Sequence, residues 1–209
     1  MPPPNAPGDS AAPLRTSSFA IEVPDALLAR ARAGERAAFE QLYRWFERPV
    51  FTLAVRICGD REEASEVLQD TMLKVIDKIG EFRGQGARGG TPFWGWLRQV
   101  AVNEALMRLR KQRRRRDELD IDDHTPRDDA GAPPATADAA QLQRALAALP
   151  ATTRSVLWLY HAEGYTHEEI ANLMQRSVSF SKSQVARGSR RLRDLLEPSG
   201  EPLAEVAHA

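Results

Sequence analysis

The chain has 209 residues, 42% of them hydrophobic and 28% charged, which is enough for one medium-sized soluble domain or two small ones. The 29 Lys and Arg residues balance 29 Asp and Glu residues, so the net charge of the whole chain does not point to a nucleic-acid partner. The sequence has a single cysteine and no apolar run of the ~20 residues needed to cross a bilayer, so it predicts a cytoplasmic protein without membrane insertion, internal disulfide or metal site.

Residues 1–23 contain clustered prolines with scattered alanine and serine, and we expect a disordered N-terminal extension there. Apolar residues then recur every three or four positions across residues 25–46, with Gly34 as the expected break between two helices. Pro49 is expected to start a further helix, which Gly59 should end. The first part of the chain therefore predicts short helices and no strands.

Residues 62–79 carry one continuous apolar stripe and form the clearest predicted helix of the chain. The opposite face of this helix concentrates acids and an amide, with few cations to form intrahelical ion pairs. Such a face suits docking of a basic partner helix, but an ordinary solvated surface explains it equally well. The residues of this face are Glu63, Glu66, Gln69, Asp70 and Asp77.

Residues 82–90 form a glycine-rich stretch with few apolar side chains, and we expect a mobile, exposed loop. The Lys-Ser or Lys-Thr pair of a phosphate-binding loop does not follow these glycines. Pro92 is expected to start the next helix, which buries its own apolar stripe. A different face of this helix carries an aromatic ring, two amides and a cation, at Trp96, Gln99, Asn103 and Arg110.

Seven cations among the nine residues 108–116, including Arg113 and Arg114, follow this outward face. Aromatic rings stack on bases, asparagine bonds to base edges and arginine binds phosphates. The face is therefore a candidate site for unpaired bases, together with Phe82 from the preceding loop. The alternative is that the two tryptophans of this helix are ordinary core residues.

Residues 117–138 are strongly acidic, with eight Asp and Glu residues against one arginine. They contain three prolines and few large apolar side chains, so they cannot bury enough surface to offset the entropy of ordering. We expect a flexible acidic linker, although a purely solubilising role fits the same charge run. The zero net charge of the chain then conceals two cationic modules.

Helical spacing resumes in residues 139–197, where Pro150 and Gly164 separate the predicted helices. Thr166 and Glu169 match the capping-box pattern at the start of a short helix. A tight turn and a longer final helix follow, with no acid between residues 176 and 193. This arrangement is typical of a helix-turn-helix, whose second helix contacts base edges in the major groove while its cations bind phosphates. The candidate contact residues are Arg176, Ser179, Lys182, Ser183, Ala186, Arg187 and Arg190.

The predicted fold is all-α, with two small helical domains joined by a flexible acidic linker. The first domain spans residues 24–116, and the second spans residues 139–197 and contains the helix-turn-helix. A short C-terminal tail, residues 198–209, follows the second domain.

Three segments, in this order, resemble the extracytoplasmic-function group of bacterial sigma factors in the sigma-70 superfamily. Residues 59–71 are similar to the segment that docks on the clamp helices of RNA polymerase. Residues 82–84 and 96–103 are similar to the segment that melts the promoter and recognises its −10 element. Residues 148–193 are similar to the domain that recognises the −35 element.

The resemblance implies an alternative sigma factor that binds core RNA polymerase, recognises both promoter elements, melts the −10 region and directs transcription initiation. Extruding a base costs only a few kcal/mol, so the resemblance implies a specificity factor rather than an enzyme, with no cofactor and with an anti-sigma protein as its regulator. The residues that it implies as polymerase contacts are Glu63, Glu66, Gln69 and Asp70. Those that it implies as DNA contacts are Phe82 and Asn103 at a flipped −10 base, and Lys182, Ser183, Ala186 and Arg187 at the −35 element.

Two other functions fit parts of the sequence. A helix-turn-helix regulator of duplex DNA explains the final helix but gives no role to the acidic helix or to the face that contains Asn103. An enzyme acting on nucleic acid fits less well, because the sequence has no Asp/Glu set with metal-ligand spacing and no recognisable Ser/His/Asp arrangement.

Overall fold

The computed structural model describes residues 18–82, 92–118 and 137–197. Within these ranges the chain forms α-helices and no strand, which confirms the predicted all-α class. Residues 83–90 of the expected glycine-rich loop and nearly all of the acidic linker lie outside the described residues. The helices are α1 (Asp25–Arg32), α2 (Arg36–Cys58), α3 (Arg61–Lys78), α4 (Phe93–Glu118), α5 (Ala137–Ala147), α6 (Ala151–His161), α7 (His167–Met174) and α8 (Val178–Leu196).

The first module contains α1–α4, with α2, α3 and α4 packed pairwise and α1 lying against α2. Its core includes Phe46 and Phe93, whose rings meet edge to face with centroids 5.8 Å apart. The chain preceding α1 also belongs to this core, because Phe19 is fully buried and Val23 is 3% exposed. The prediction of a disordered extension over residues 1–23 was therefore wrong for residues 18–23, which contribute apolar side chains to the module.

Helix α2 runs through Pro49 without interruption, so the prediction of a new helix start at this proline was wrong. A proline inside a helix removes one backbone hydrogen bond and costs about 3 kcal/mol. Pro49 is buried among apolar neighbours on the same helix, including Phe46 and Val50, and their burial in the core offsets that cost. The predicted helix ends are confirmed, since Gly34 separates α1 from α2 and Gly59 caps α2 with a left-handed φ of 74°.

The second module contains α5–α8, and its short helix α7 begins with the predicted capping box. The Thr166 hydroxyl accepts a hydrogen bond from the Glu169 backbone N–H at 3.2 Å, and the Glu169 carboxylate accepts one from the Thr166 N–H at 2.7 Å. Ser177 caps α8 in the same way, by accepting a hydrogen bond from the Phe180 N–H at 3.1 Å. These caps fix where α7 and α8 begin, and they confirm the tight turn between the two helices.

Helix α8 crosses α6 at Gly188, and the helices approach so closely there that a side chain does not fit. A Cβ atom at this position would lie 2.6 Å from the Thr153 Cγ2 and 2.8 Å from the Leu157 Cδ1. Although Gly→Ala usually stabilises a helix, Gly188→Ala is expected to lower the free energy of unfolding by about 1–3 kcal/mol, because it overpacks this crossing. Urea denaturation of the full chain measures the change.

Gly80→Ala is the matched control for this substitution, because a Cβ at Gly80 meets no atom within 4 Å and the backbone there is not left-handed. Its effect on the free energy of unfolding should be about 1 kcal/mol or less. Equal stability of the two variants would contradict the close crossing of α6 and α8.

The two modules pack against each other through α2 with α6 and through α4 with α7. Val156, Leu159 and Ile170 of the second module are fully buried in the same apolar cluster as the core of the first. The sequence predicted two modules joined only by a linker, and it carried no sign of this packing. The modules form one body with a continuous core.

Candidate functional site

An acidic face lies on α3, and its residues implied as polymerase contacts are Glu63, Glu66, Gln69 and Asp70. Asp77, which was predicted on the same face, is exposed near the end of this helix. Asp60 precedes the helix and accepts a hydrogen bond from the Glu63 backbone N–H at 2.9 Å, which fixes where the helix begins. Glu66 and Gln69 are exposed, whereas Glu63 and Asp70 are partly buried. The predicted face therefore exists as one surface on one helix.

Arg108 of α4 crosses to this acidic face and contacts three of its carboxylates. Its guanidinium lies 2.9 Å from Glu66, 3.2 Å from Asp70 and 3.5 Å from Glu63. Burial of Arg108 disfavours its charged form, but hydrogen bonds to Glu66 and Asp70 outweigh that effect and raise the pKa of its guanidinium. Arg108 belongs to the cationic run that was predicted to bind phosphates, but in this structure it orders the acidic face.

The aromatic residues predicted to stack on bases lie largely in the core. Phe82 is 6% exposed, and its ring centroid lies 5.6 Å from that of Phe93 and 5.2 Å from that of Trp96. Arg32 of α1 donates a hydrogen bond to the Phe82 carbonyl at 2.7 Å. Phe82 is therefore a core residue, and its ring is not accessible for stacking on a base. Trp96 is partly buried beside it.

The amides and the cation of the predicted α4 face share one surface. Asn103 is exposed and accepts a hydrogen bond from the Gln99 amide at 3.3 Å. Gln99 and Arg110 are partly buried, because both contact the second module. Arg114 is exposed near the end of α4, and the side chain of Arg113 lies outside the described part of the chain.

An open cleft of about 610 Å³ separates this face of α4 from α7. Asn103 and Glu104 line the cleft on one side, and Asn172 and Gln175 line it on the other. Tyr165 donates a hydrogen bond to the Gln99 side-chain oxygen at 3.3 Å across its edge. Burial raises the pKa of Tyr165, which keeps its hydroxyl protonated as the donor. The surface predicted to bind unpaired bases therefore faces the helix-turn-helix.

The outward face of the helix-turn-helix is open to solvent. All seven residues predicted to contact DNA are exposed, on the turn before α8 or on α8 itself. Ser181, which was expected to point inward, is fully buried, whereas Val178, also expected inward, is 37% exposed. The exposed residues are Arg176, Ser179, Lys182, Ser183, Ala186, Arg187 and Arg190.

The described residues contain no group of three or more His, Cys, Asp or Glu side chains that could hold a metal ion. Cys58 is buried, and its thiol donates a hydrogen bond to the Ala105 carbonyl at 3.7 Å. Among the described helices, none is both long enough and apolar enough to span a bilayer.

Two family models match the chain, and each covers one module. Sigma-70 region 2 matches residues 42–115, and Sigma-70 region 4 matches residues 139–192. The ECF RNA polymerase sigma factor SigM of Mycobacterium tuberculosis is 34% identical over 170 residues, which cover 81% of this chain and 83% of the relative. The RNA polymerase sigma-H factor of Pseudomonas aeruginosa is 28% identical over 184 residues, which cover 82% of this chain and 93% of the relative.

A solved structure has a similar fold. It contains the sigma factor RpoE of Bartonella quintana in complex with the anti-sigma factor NepR, and it matches with a TM-score of 0.54 and 24% sequence identity. The match covers 77% of this chain and 98% of that one. Together with the family models and the identity to SigM, the ordered pair of modules shows that the chain belongs to the extracytoplasmic-function (ECF) group of the sigma-70 family, the factors that direct transcription initiation by RNA polymerase.

Proposed function

We propose that the acidic face of α3 binds core RNA polymerase, that α4 recognises and melts the −10 element, and that α8 recognises the −35 element. One observation supports this assignment most strongly. The first module has two separate polar surfaces, an ordered acidic face on α3 and a surface of amides and cations on α4. A regulator that binds only duplex DNA needs the second module alone. A sigma factor needs all three surfaces.

The acidic face supports polymerase docking because its carboxylates are held in place and remain accessible. Arg108 contacts all three carboxylates, and Glu66, although paired with it, stays exposed together with Gln69. Leu73 and Ile76, further along the same helix, are 52% and 48% exposed. Exposed apolar side chains next to an acidic face suit a partner helix that carries both basic and apolar residues.

The α4 face supports recognition of unpaired bases through Asn103 rather than through stacking on Phe82. Asn103 is exposed and can form two hydrogen bonds with a base edge. Arg110 and Arg114 lie about two and three helical turns after Asn103 on α4, where they can bind the phosphates of the same strand. Base recognition by α4 therefore centres on Asn103 in this proposal.

The α8 face supports −35 recognition, and Arg187 provides a direct test of it. Arg187→Ala is expected to weaken binding to a −35 duplex by about 1–3 kcal/mol if it removes a base contact. If Arg187 binds a phosphate instead, the slope of log affinity against log salt should decrease by about 1. Fluorescence anisotropy at several salt concentrations measures both quantities.

Arg144→Ala is the control for Arg187→Ala, because Arg144 is an exposed cation of the same module that lies on α5, away from α8. It removes the same charge and should leave both the affinity and the salt slope close to those of the unchanged chain. Equal losses in the two variants would refute a specific DNA contact by α8.

We propose that the chain acts in the cytoplasm without catalysis and without a cofactor. Its role is to position RNA polymerase at promoters. Membership in the sigma-70 family supports this role. We further propose that an anti-sigma protein controls it by covering the acidic face. RpoE, which has a similar fold, was solved in complex with the anti-sigma factor NepR, and this supports a partner of the same kind.

Copurification with core RNA polymerase that lacks its own sigma subunit tests the proposed function. The soluble, folded chain should comigrate with the polymerase in gel filtration. Failure to comigrate would reject polymerase docking and would leave a regulator of duplex DNA as the better description of the second module.

A further inference from the structure

One exposed apolar side chain lies on the face of α4 that carries Asn103. Met107 follows Asn103 by four residues, so the two lie about 40° apart around the helix and about 6 Å apart along it. Met107 is 53% exposed, and it belongs to neither of the apolar clusters in the described part of the chain. Its side chain therefore adds little to the core of the module.

The apolar stripe that holds α4 in the first module is complete without Met107. Leu97, Ala105 and Leu106 are buried, and Leu109 packs against the same core. Of the residues described in α4, Met107 is the large apolar one that remains exposed. A single exposed apolar residue is common on protein surfaces, so the surroundings of Met107 decide what it can do.

The side chains around Met107 suit contact with nucleic acid. Asn103 on one side is exposed and can bind a base edge, and Arg114 on the other side is exposed and can bind a phosphate. Glu104 is 7% exposed and forms an ion pair with Lys74, so the charge of its carboxylate is balanced. The apolar side chain of Met107 therefore lies between a group that can recognise bases and a group that can hold the backbone.

The aromatic rings closest to this surface are packed in the core of the module. Phe82 is 6% exposed, and its ring contacts those of Phe93 and Trp96. The Trp96 ring also contacts Phe93, with centroids 5.5 Å apart. Insertion between base pairs requires a large apolar side chain that is free to leave the protein surface. On the described part of α4, Met107 meets this requirement.

We propose that Met107 inserts between two base pairs of the −10 element and starts the separation of the strands. The inference rests on the proposed function of α4, and it gives strand separation a different residue from Asn103, which binds a base once that base is unpaired. Methionine suits insertion because its unbranched side chain adapts to irregular gaps and its sulfur makes favourable contacts with aromatic rings. Apolar side chains, methionine among them, unstack base steps in proteins that kink DNA.

The spacing of Met107 and Asn103 suits neighbouring positions on one DNA strand. Successive bases of a strand are ~3.4 Å apart along the duplex, so the distance of about 6 Å along α4 corresponds to roughly two base steps. Insertion of Met107 at one step therefore leaves a nearby base within reach of Asn103. Insertion also removes the exposed half of the Met107 side chain from water, which offsets part of the free energy of unstacking.

The rate of open-complex formation on two forms of one promoter tests this role. One form is duplex DNA from a promoter that the unchanged holoenzyme transcribes. The other form carries mismatched bases across the −10 element, so its strands are already unpaired there. The full chain and core polymerase are added to each form, and the rate at which competitor-resistant complexes appear is measured. Only the duplex form requires separation of the −10 strands.

Met107→Gln is the main test variant, because glutamine has nearly the length and the helix propensity of methionine but is polar. It should slow complex formation on the duplex by about 3- to 15-fold, the loss expected when burial of half a methionine side chain is removed. On the mismatched promoter its rate should equal that of the unchanged chain. Met107→Leu keeps the apolar volume and should retain the duplex rate to within about 2-fold.

Leu142→Gln is the matched control for Met107→Gln. Leu142 is also a large apolar residue, 42% exposed, but it lies on α5 of the second module. Its replacement should leave the rates on both promoter forms unchanged. Asn103→Ala gives a contrasting pattern, because a residue that binds an unpaired base is needed on the mismatched promoter as well. Circular dichroism should show unchanged helix content in all four variants, since the substituted residues are exposed.

The inference is overturned if Met107→Gln leaves the duplex rate unchanged or slows complex formation equally on both promoter forms. It is also overturned if Met107→Leu or Leu142→Gln slows complex formation on the duplex as much as Met107→Gln does. Each of these results leaves the proposed function intact, because the unchanged holoenzyme still opens the promoter. If the unchanged holoenzyme transcribes no promoter and forms no complex on the mismatched DNA, the proposed function itself is rejected.

Discussion

Replacing Glu63 and Glu66 together by arginine is expected to abolish binding to core RNA polymerase. The double substitution changes the charge of the acidic face by four units and turns attraction for a basic partner helix into repulsion. Like charges brought together in an interface cost several kcal/mol, so we expect the dissociation constant to rise by at least about 100-fold. Fluorescence anisotropy of the labelled chain titrated with core polymerase measures it.

The fold should survive this double substitution, because Glu63 and Glu66 lie outside the hydrophobic core and Arg108 keeps Asp70 as an ion-pair partner. The Arg108 and Glu63 side chains are only 21% and 22% exposed, but Glu66 is 54% exposed, and ion pairs with exposed partners contribute about 0–1 kcal/mol to stability. Glu22→Arg with Glu81→Arg is the control, since both acids are exposed in the same module but lie off α3. Polymerase binding that is unchanged in the Glu63 and Glu66 variant, or equally weakened in the control, would contradict the proposed docking face.

Asn103→Ala is expected to impair initiation on duplex promoters much more than it weakens binding to the −35 element. The substitution removes an exposed amide that can form two hydrogen bonds with a base edge, and such a contact contributes about 1–3 kcal/mol. The rate of open-complex formation should therefore fall by about 5- to 150-fold. Permanganate footprinting of unpaired thymines follows this step.

Asn172→Ala is the control for the Asn103 variant. Asn172 is also exposed and lines the same cleft, but it belongs to α7 on the opposite side. Its loss should leave open-complex formation close to that of the unchanged chain. Equal losses of −35 binding and of initiation in Asn103→Ala would reject its role in recognising an unpaired base.

Local sequence patterns were sufficient to predict most helix ends. Gly34 and Gly59 supply left-handed backbone, and Thr166 with Glu169 forms a reciprocal cap, so each end depends on residues close together in the chain. The predicted helix break at Pro49 was wrong. Apolar residues before and after the proline are buried in the core, and their burial outweighs the loss of one backbone hydrogen bond. Local rules therefore hold at these helix ends, whereas packing decides the course of the chain at Pro49.

Contacts between distant residues could not be predicted from the same patterns. Arg108 lies in a cationic run that suggests phosphate binding, yet it pairs with acids 38 to 45 positions earlier in the chain. Phe82 stands beside a glycine-rich segment and was expected to be exposed, but its ring packs on Phe93. The contact of Arg98 with Glu163 spans 65 positions. Side-chain spacing along one helix carries no information on such partners.

Mapping the RNA starts made by core polymerase together with this chain, from a pool of genomic DNA fragments, tests most directly whether the chain directs promoter-specific initiation. We expect new starts that appear only when the chain is present and that share two sequence elements, near −35 and near −10. Polymerase that binds the chain but yields no such starts, or starts that lack a shared −10 element, would contradict a sigma factor that uses both modules.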